Sequence, residues 1–277
     1  MVAASRKEID EIYESVALLK RDGFNYKMMH EKEMQELLSN KHFHGAAFNP
    51  MDGEINPVKL ARGLIRMASE AGMSVFENSH VKRIHKRNNF IEIRTNSGMV
   101  KADHVVLATN AYTPLLHPYF KNIISPIRGQ ILVTRPYKKI FCGVFYANYG
   151  YEYWRQLPDG SVLAGGYRNI DPKREVGYRM FATKKIQRKL EELLLKLSVK
   201  SSIINRWSGI MGFTRDNLPL IGSVPNEKNM YISAGYSGHG LGFAFIAGRA
   251  ISEKIVKGKD KDKILSYFNQ CGQSDRL

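Results

Sequence analysis

Apolar residues recur along this chain first with a helical and then with a strand-like period. Ile9, Ile12, Tyr13, Val16 and Leu19 form one stripe and predict a helix over 7–20. A second helix is predicted over about 30–39, after a turn at Asp22-Gly23. The Gly-, Asn- and Pro-rich stretch from His42 to Ile55 reads as loop. Asn56-Pro57 supplies the N-cap and first-turn residues of a third helix; Leu60, Leu64, Met67, Ala68 and Ala71 continue it and Gly72 stops it.

Strand patterns then take over. SVFEN, VKRIHKR, FIEIRTN and MVKAD alternate or are rich in β-formers, with turns at Asn88-Asn89 and Ser97-Gly98. HVVLATN is a short, continuous apolar run, the pattern of a strand buried on both faces in a parallel sheet. From Ile123 to about Ile170, GQILVTR, VFYANYGYEYWRQL and SVLAGGYR read as strands, the last two joined across Pro158-Asp159-Gly160. A helix covers about 182–197, and SSIINRWSGIMGFT is a further strand. NMYISAG is an apolar strand that enters a Gly-rich turn, and LGFAFIAGRAISEKIVKG is the helix that leaves it.

Antiparallel insertions inside a βαβ-like frame predict a two-domain α/β protein with interleaved domains, since frame pieces lie on both sides of the insertion. Segments 104–109 and 229–235 share apolar character, and each ends in Asn or a Gly loop. They are predicted to be neighbouring strands of one parallel sheet with their C-terminal ends on the same side.

Composition changes this picture little. The chain has 277 residues, 43% hydrophobic and 25% charged, which is ordinary for a globular protein. No apolar run approaches the roughly 18 residues of a membrane span. The opening MVAASRKEIDEIYES is charged and lacks the apolar core of a secretory signal. Cys142 and Cys271 stand far apart in no metal-like or redox-like spacing, which suits a reducing compartment and gives a cytoplasmic expectation. The formal charge is +16, but Lys and Arg are spread along the chain. The densest stretches are Lys184–Lys196, which reads as an amphipathic helix, and Lys257–Lys263, which alternates with Asp. Neither interleaves basic with aromatic residues, so no nucleic-acid partner is expected. No metal-ligand set, Gly-x-Ser-x-Gly elbow or P-loop is present.

Three clusters carry candidate chemistry. Gly235, Gly238, Gly240 and Gly242 lie between a predicted strand and a predicted helix, with His239 among them. Glycines there let backbone approach a flat or anionic ligand, and a helix N-terminus offers free N–H groups to a phosphate or to the pyrimidine edge of a flavin. Simple tight packing uses the same glycines. His239 is a candidate catalytic group, although a lone histidine is as readily structural. In the second cluster, Trp207 to Gly222, Thr214, Asp216 and Pro219 mark a turn. The third is the run Tyr146, Tyr149, Tyr151, Tyr153 and Trp154, which suits a pocket for an apolar or cationic substrate and suits one face of a sheet equally well.

Together DGEINPVKLARGL, ADHVVLATNAY, PIRGQ, YWRQLPDGSVLAGGYR, the Trp207–Gly222 segment and NMYISAGYSGHGLGFAFIAGRAISEKI resemble the D-amino-acid-oxidase-like superfamily of FAD-dependent oxidoreductases. Within it the chain looks most like gamma-glutamylputrescine oxidoreductases and related amine oxidases. The resemblance implies an incomplete Rossmann-like FAD-binding domain, about 56–115 and 216–265. An antiparallel-sheet, α+β substrate domain of about 1–55 and 116–215 would be interleaved with it. It implies FAD contacts at Val81 for the adenine end, at Ala108, Thr109 and Asn110 beside the cofactor, and at Gly238, His239, Gly240, Leu241 and Gly242 along the isoalloxazine. It implies hydride loss from a carbon bearing nitrogen in a small-molecule amine, followed by hydrolysis of the imine. With Tyr151, Tyr153, Trp154 and Met211 taken as substrate contacts, Tyr151, Tyr153 or Trp154 and the Trp207–Phe213 stretch are expected to approach His239 across a cleft.

Two departures from the family pattern stand out. Members that oxidise free amino acids often hold the substrate carboxylate with an arginine, whereas the matching positions here are Met211 and Gly238. This favours an amine or N-substituted substrate, with Arg128, Arg155 or Arg168 as replacements. The family also opens with a G-x-G-x-x-G βαβ unit that cradles the pyrophosphate, and these 277 residues contain no match to it. The expectation is a C-terminal portion completed by an N-terminal flavin-binding chain or subunit. The alternative is a non-catalytic remnant or assembly subunit that binds no flavin alone.

Overall fold

The computed structural model describes residues 1–38, 42–259 and 264–268, the side chains of 35–37 excepted. Cys271, residue 39 of the second predicted helix and residues 260–263 of the Lys/Asp stretch lie outside the described residues. In chain order come α1 (Arg6–Arg21), β1 (Lys27–His30), α2 (Glu31–Leu38), β2 (Gly45–Phe48), α3 (Pro57–Glu70), β3 (Val81–Lys86), β4 (Ile91–Thr95), β5 (Met99–Ala102) and β6 (Val105–Leu107). Then follow α4 (Thr113–Leu116), β7 (Ser125–Pro136), β8 (Val144–Ala147), β9 (Glu152–Gln156), β10 (Ser161–Gly166), α5 (Lys184–Lys196), β11 (Ile203–Phe213), β12 (Leu220–Ser223), β13 (Met230–Ala234), α6 (Gly240–Lys257) and α7 (Ile264–Phe268).

The chain divides into two units. The first comprises 1–55, 128–175 and 179–209; the second comprises 56–127, 176–178 and 210–277. In the first unit a sheet of order β11-β7-β10-β9-β8 is extended by the β1-β2 ribbon, and Val2 bridges Ala46 and Ala147 to join them. Strand alternation puts Leu132, Trp154, Val162 and Ala164 on the face that packs against Ile186, Leu190, Leu193 and Leu194 of α5. Helix α1 starts with Ser5 accepting from the Glu8 N–H at 3.1 Å, and lays Ile9, Ile12 and Val16 on Ala47 of β2.

Buried in the same unit is a polar network. Arg128 donates through Nε to Glu175 Oε2 at 2.8 Å and through Nη2 to Glu175 Oε1 at 3.1 Å. Nη1 donates to the Arg179 carbonyl at 2.8 Å and Nη2 to the Arg174 carbonyl at 2.7 Å. Gln130 donates to Glu175 and Thr183, both at 2.9 Å, and accepts from the Thr183 N–H at 2.8 Å. Arg128 and Glu175 are 2% and 1% exposed, so this pair is a desolvated one, held by bonds from Nε and both terminal nitrogens of the guanidinium.

The second unit holds the predicted parallel pair. Met230, Tyr231 and Ile232 of β13 lie beside Val105, Val106 and Leu107 of β6, and β12 adds antiparallel to β13. One face of this sheet packs with Ile91, Phe120 and Ile124; the other carries Ala247, Ala250 and Ile251 of α6. Strands β3, β4 and β5 form the expected separate meander.

Three expectations need correction. The stretch SVFEN forms no strand: Val75 and Phe76 are 44% and 73% exposed, and no described strand pairs with them. The supposed loop from His42 contains β2, four small residues whose pairing with β1 comes from tertiary context. The long strand VFYANYGYEYWRQL is a hairpin, broken where Asn148, Tyr149 and Gly150 take φ of 51, 54 and 78°. Helix α3 starts as predicted, with Asn56 accepting from Val58 and Lys59 at 3.1 and 3.0 Å, yet none of its residues is buried.

Breaking the Arg128–Glu175 pair from one side leaves a buried charge without its partner. Arg128→Met is expected to cost about 3–5 kcal/mol, and the double variant Arg128→Met/Glu175→Leu less than the sum of the two single changes. Urea unfolding of the four proteins checks this; additive losses would show that the two side chains are energetically independent.

Candidate functional site

In the second unit the parallel register carries the ends of β6 and β13 to one place. Beyond β6 the chain turns through Ala108, Thr109 and Asn110; beyond β13 it turns at Gly235. Asn110, at φ 42°, accepts the Gly235 N–H on its Oδ1 at 2.9 Å, closing a separation of 125 residues. The close packing leaves no room for side chains. A Cβ on Gly212 would lie 2.6 Å from Asn110 Oδ1, and one on Gly235 would lie 2.7 Å from Thr214 Cγ2. The end of β11 clasps the same turn, because the Ser237 N–H donates to the Gly212 carbonyl at 2.8 Å and the Thr214 N–H to Ser237 Oγ at 3.3 Å. Thr214 Oγ1 in turn donates to the Leu218 carbonyl at 2.8 Å and Asp216 Oδ1 accepts from the Leu218 N–H at 3.0 Å, which is the turn expected at Thr214, Asp216 and Pro219.

From this anchored turn the chain rises into α6. His239 is the N-cap and its side chain makes no capping bond; its Nδ1 lies 3.1 Å from the Ser237 carbonyl, as a donor. Held by that bond, a neutral ring has its accepting nitrogen at Nε2. Gly240 packs against Tyr236, 3.4 Å from where a Cβ would reach its Cβ, and Tyr236 bonds Ser233 at 2.6 Å while burial raises its ionisation above the ordinary phenol range. Gly238 and Gly242 differ: a Cβ on either meets nothing within 4 Å. Their bare backbone therefore faces open space beside an uncapped helix N-terminus, which is the surface a flat ring with a developing negative edge fits.

Among the sequence candidates the structure brings Asn110 onto the Gly235 turn, with Ala108 and Thr109 leading to it, and Gly238, His239, Gly240, Leu241 and Gly242 continuing from it. Val81 opens β3 in the separate meander of the same unit. Met211 is half-buried on β11, next to the Gly212 carbonyl that holds Ser237. Ser237 and Gly212 were not singled out by sequence, although a Gly–Ser pair bonded across 25 residues is what fixes the turn; only the glycine's place in the Trp207–Gly222 cluster pointed there.

The aromatic run belongs to the first unit, where it splits between two faces. Trp154 is 2% exposed and stacks between Phe43 and Phe145, with ring centroids at 5.5 and 5.3 Å. It is a core residue, because strand alternation turns it inward with Glu152, and its place among the substrate contacts is withdrawn. Tyr153 points to the opposite face. Its ring covers Gly165, where a Cβ would come within 2.4 Å of it, and burial pushes its ionisation up to about 12. Tyr151 lies beneath the guanidinium of Arg168, whose carbon is 4.5 Å from the ring centroid. Among the described residues no group of three or more His, Cys, Asp or Glu side chains could hold a metal ion, and no helix is long and apolar enough to cross a membrane.

Comparison with known proteins agrees with this geometry. A family described as FAD dependent oxidoreductase (DAO) matches residues 1–254. The chain is 28% identical over 255 residues to a probable oxidoreductase, OrdL, of Rhizobium meliloti strain 1021, covering 89% of this chain and 57% of that protein. It is 29% identical over 251 residues to the gamma-glutamylputrescine oxidoreductase of Escherichia coli K12, covering 85% of this chain and 55% of that one. The structure superposes on L-proline dehydrogenase from P. horikoshii with a TM-score of 0.84 and 26% identity, over 96% of this chain and 74% of that one. The chain thus spans little more than half the length of these curated relatives, and the match runs through both units: it belongs to the DAO family of FAD dependent oxidoreductases.

Proposed function

We propose that these residues form the flavin-edge site and the substrate-covering sheet of an FAD-dependent oxidoreductase that oxidises a C–N bond in an amine or N-substituted amino compound. The observation that carries this reading is the anchored turn: Asn110 and Gly212 fix 235–237, and Gly238 and Gly242 then present bare backbone at the start of α6. Bound FAD supplies the hydride-accepting chemistry, so no side chain need act as acid or base. The chain's own part is to seat the ring at Gly238–Gly242, with Ala108, Thr109 and Asn110 beside it and Val81 toward the adenine end. Tyr151, Tyr153 and Met211 are the proposed substrate contacts, and His239 is the candidate catalytic group.

Completion of this enzyme by an N-terminal flavin-binding chain or subunit, rather than a non-catalytic remnant or assembly subunit that binds no flavin alone, is favoured by α3. Val58, Leu60, Leu64, Ile65 and Met67 are all at least 41% exposed on a well-capped amphipathic helix. β6 is the outer strand of its sheet, with Val106 42% exposed. A strand–helix–strand segment bearing G-x-G-x-x-G suits both surfaces and would add the pyrophosphate contacts. A G-x-G-x-x-G coding segment immediately upstream of, or adjacent to, this one in the encoding DNA would support the enzyme reading.

The 277 residues by themselves are expected to bind FAD weakly. Charge-assisted bonds to phosphate are worth roughly 1.5–3 kcal/mol each, so lacking two or three costs several decades of affinity. In equilibrium dialysis FAD and riboflavin are expected to bind within about tenfold of each other, because the ring contacts are shared and the phosphate contacts are not made. Stoichiometric flavin retained by the monomeric chain through desalting would refute this.

Gly242 offers a sharper check. It has an ordinary backbone conformation and open space around it. Gly242→Ala is therefore expected to leave the melting temperature unchanged or raise it, since alanine stabilises a helix interior over glycine by roughly 0.5–1 kcal/mol. Riboflavin binding is expected to fall at the same time. Unchanged riboflavin binding would remove this backbone from the flavin site.

A further inference from the structure

We propose that Ser237 is a positioning residue: its buried hydroxyl holds a strained turn whose carbonyl fixes the tautomer of His239 and leaves Nε2 as the accepting nitrogen of that ring. This rests on the reading of 235–242 as the flavin seat and names the side chain that sets its geometry.

Residue type sets this position apart. Ser237 has a φ of 50°, in the left-handed region. The other described non-glycine residues of the second unit with positive φ are Asn78, Asn110, Asn217, Asn226 and Asn229. Asparagine is the ordinary choice there, because its short carboxamide bonds locally and offsets the clash of Cβ with the backbone. Serine is not the ordinary choice. Its left-handed conformation persists only where the surroundings over-determine it, and such strain collects at functional sites. Ser237 is also 3% exposed, so its hydroxyl has exchanged water for protein partners.

Those partners tie three segments together. Ser237 Oγ accepts the Thr214 N–H at 3.3 Å and lies 3.3 Å from Thr214 Oγ1. The Thr214 hydroxyl uses its own proton on the Leu218 carbonyl. The Ser237 proton is therefore directed to Thr214 Oγ1 or to the Gly235 carbonyl, 3.4 Å away. The Ser237 N–H donates to the Gly212 carbonyl at 2.8 Å, and its own carbonyl receives His239 Nδ1 at 3.1 Å. Hydroxyl, N–H and carbonyl of one residue thus join the end of β11, the 214–218 turn and the N-cap of α6.

The carbonyl links this clasp to chemistry. With Ser237 left-handed, its carbonyl faces the ring of His239 two residues on. Release of Ser237 to the extended region, where serine is unstrained, rotates the 237–238 peptide and breaks that contact. With Nδ1–H held by the carbonyl, a neutral ring carries its lone pair on Nε2. Without that bond either nitrogen can carry the proton, and Nε2 changes between acceptor and donor. A ligand N–H is bound by the first state and opposed by the second.

The test uses the 277-residue chain isotope-labelled in its histidine nitrogens. NMR at about pH 8.5, where imidazole is neutral, reads which nitrogen of His239 carries the proton, and His239→Gln assigns the signal. The native ring is expected in one tautomer, protonated at Nδ1. Ser237→Ala keeps the strain and removes the hydroxyl; it should mix the tautomers and lower the melting temperature. Ser237→Gly removes the hydroxyl and the strain together. It should melt above Ser237→Ala and still show mixed tautomers. Riboflavin binding is expected to fall about tenfold in both, the worth of one hydrogen bond. A native tautomer in Ser237→Gly, which would mean that the turn needs only its backbone angle, overturns the assignment, as does a native ring protonated at Nε2. Riboflavin dialysis reads the flavin seat independently: a native chain that binds no riboflavin yet shows the Ser237-dependent tautomer would sink the flavin reading and leave the positioning role standing.

Discussion

The parallel pairing of β6 with β13 is the contact on which the rest of the candidate site depends. Neither strand is long, and the three residues of β6 could not form a stable element alone. Their pairing brings residues 108–110 beside 235–237, and each later feature inherits its position from that: the Asn110 bond, the Gly212 clasp, the N-cap at His239 and the start of α6. Parallel pairing cannot be closed by a tight turn. The intervening chain instead builds most of the first unit before β13 completes the second. Interleaving is thus the covalent consequence of inserting the first unit's sheet between two halves of one parallel frame.

The first unit solves a different problem. One face of its sheet packs on α5 and the other carries Tyr153 and Arg155. The alternation of β9 does this directly, sending Glu152 and Trp154 inward and Tyr153 and Arg155 outward. The connection from β10 to α5 has no such pattern to fix it. Its course is set by Arg128, whose guanidinium gathers the carbonyls of Arg174 and Arg179 together with Glu175, and by Gln130, which fastens Thr183 at the start of α5. A buried ion pair is a poor source of net stability, but it specifies one path for a segment that hydrophobic packing would leave undetermined.

Legibility in the sequence followed how local the deciding interactions were. Helices α1, α3 and α6 were visible because their caps, stripes and stop residues lie within a few positions of each other. The β13–turn–α6 unit was visible because a strand-like run, four glycines and an apolar helix occur in order. Strands β1, β2 and β12, with four residues each, were not visible, since their pairing partners alone make them strands. SVFEN failed in the opposite direction: it has the composition of a strand and no described strand to pair with. Trp154 shows a subtler limit. The sequence reading grouped Tyr153 and Trp154 in one run, although adjacent strand residues face opposite ways, and it could not tell which face was core; Phe43, over a hundred residues upstream, decides that. The Asn110–Gly235 bond was likewise beyond local reasoning, although the family resemblance pointed to Asn110 and the glycine cluster to Gly235.

Helix α3 carries this distinction one step further. Its Asn56 cap, Pro57 and Gly72 stop encode a helix locally, and its stripe of Leu60, Leu64 and Met67 encodes burial. A helix of 14 residues is marginal in water without tertiary packing. Burying each such side chain fully is worth about 1.5–3 kcal/mol. The stripe therefore represents several kcal/mol that the described contacts do not collect, more than the cap and stop residues contribute together. The outer edge of β6 is in the same position, with backbone donors and acceptors directed away from β13. These two surfaces belong to the unit that holds the turn from Gly235 to Gly242. A segment that covers them would thus stabilise the framework that holds this turn.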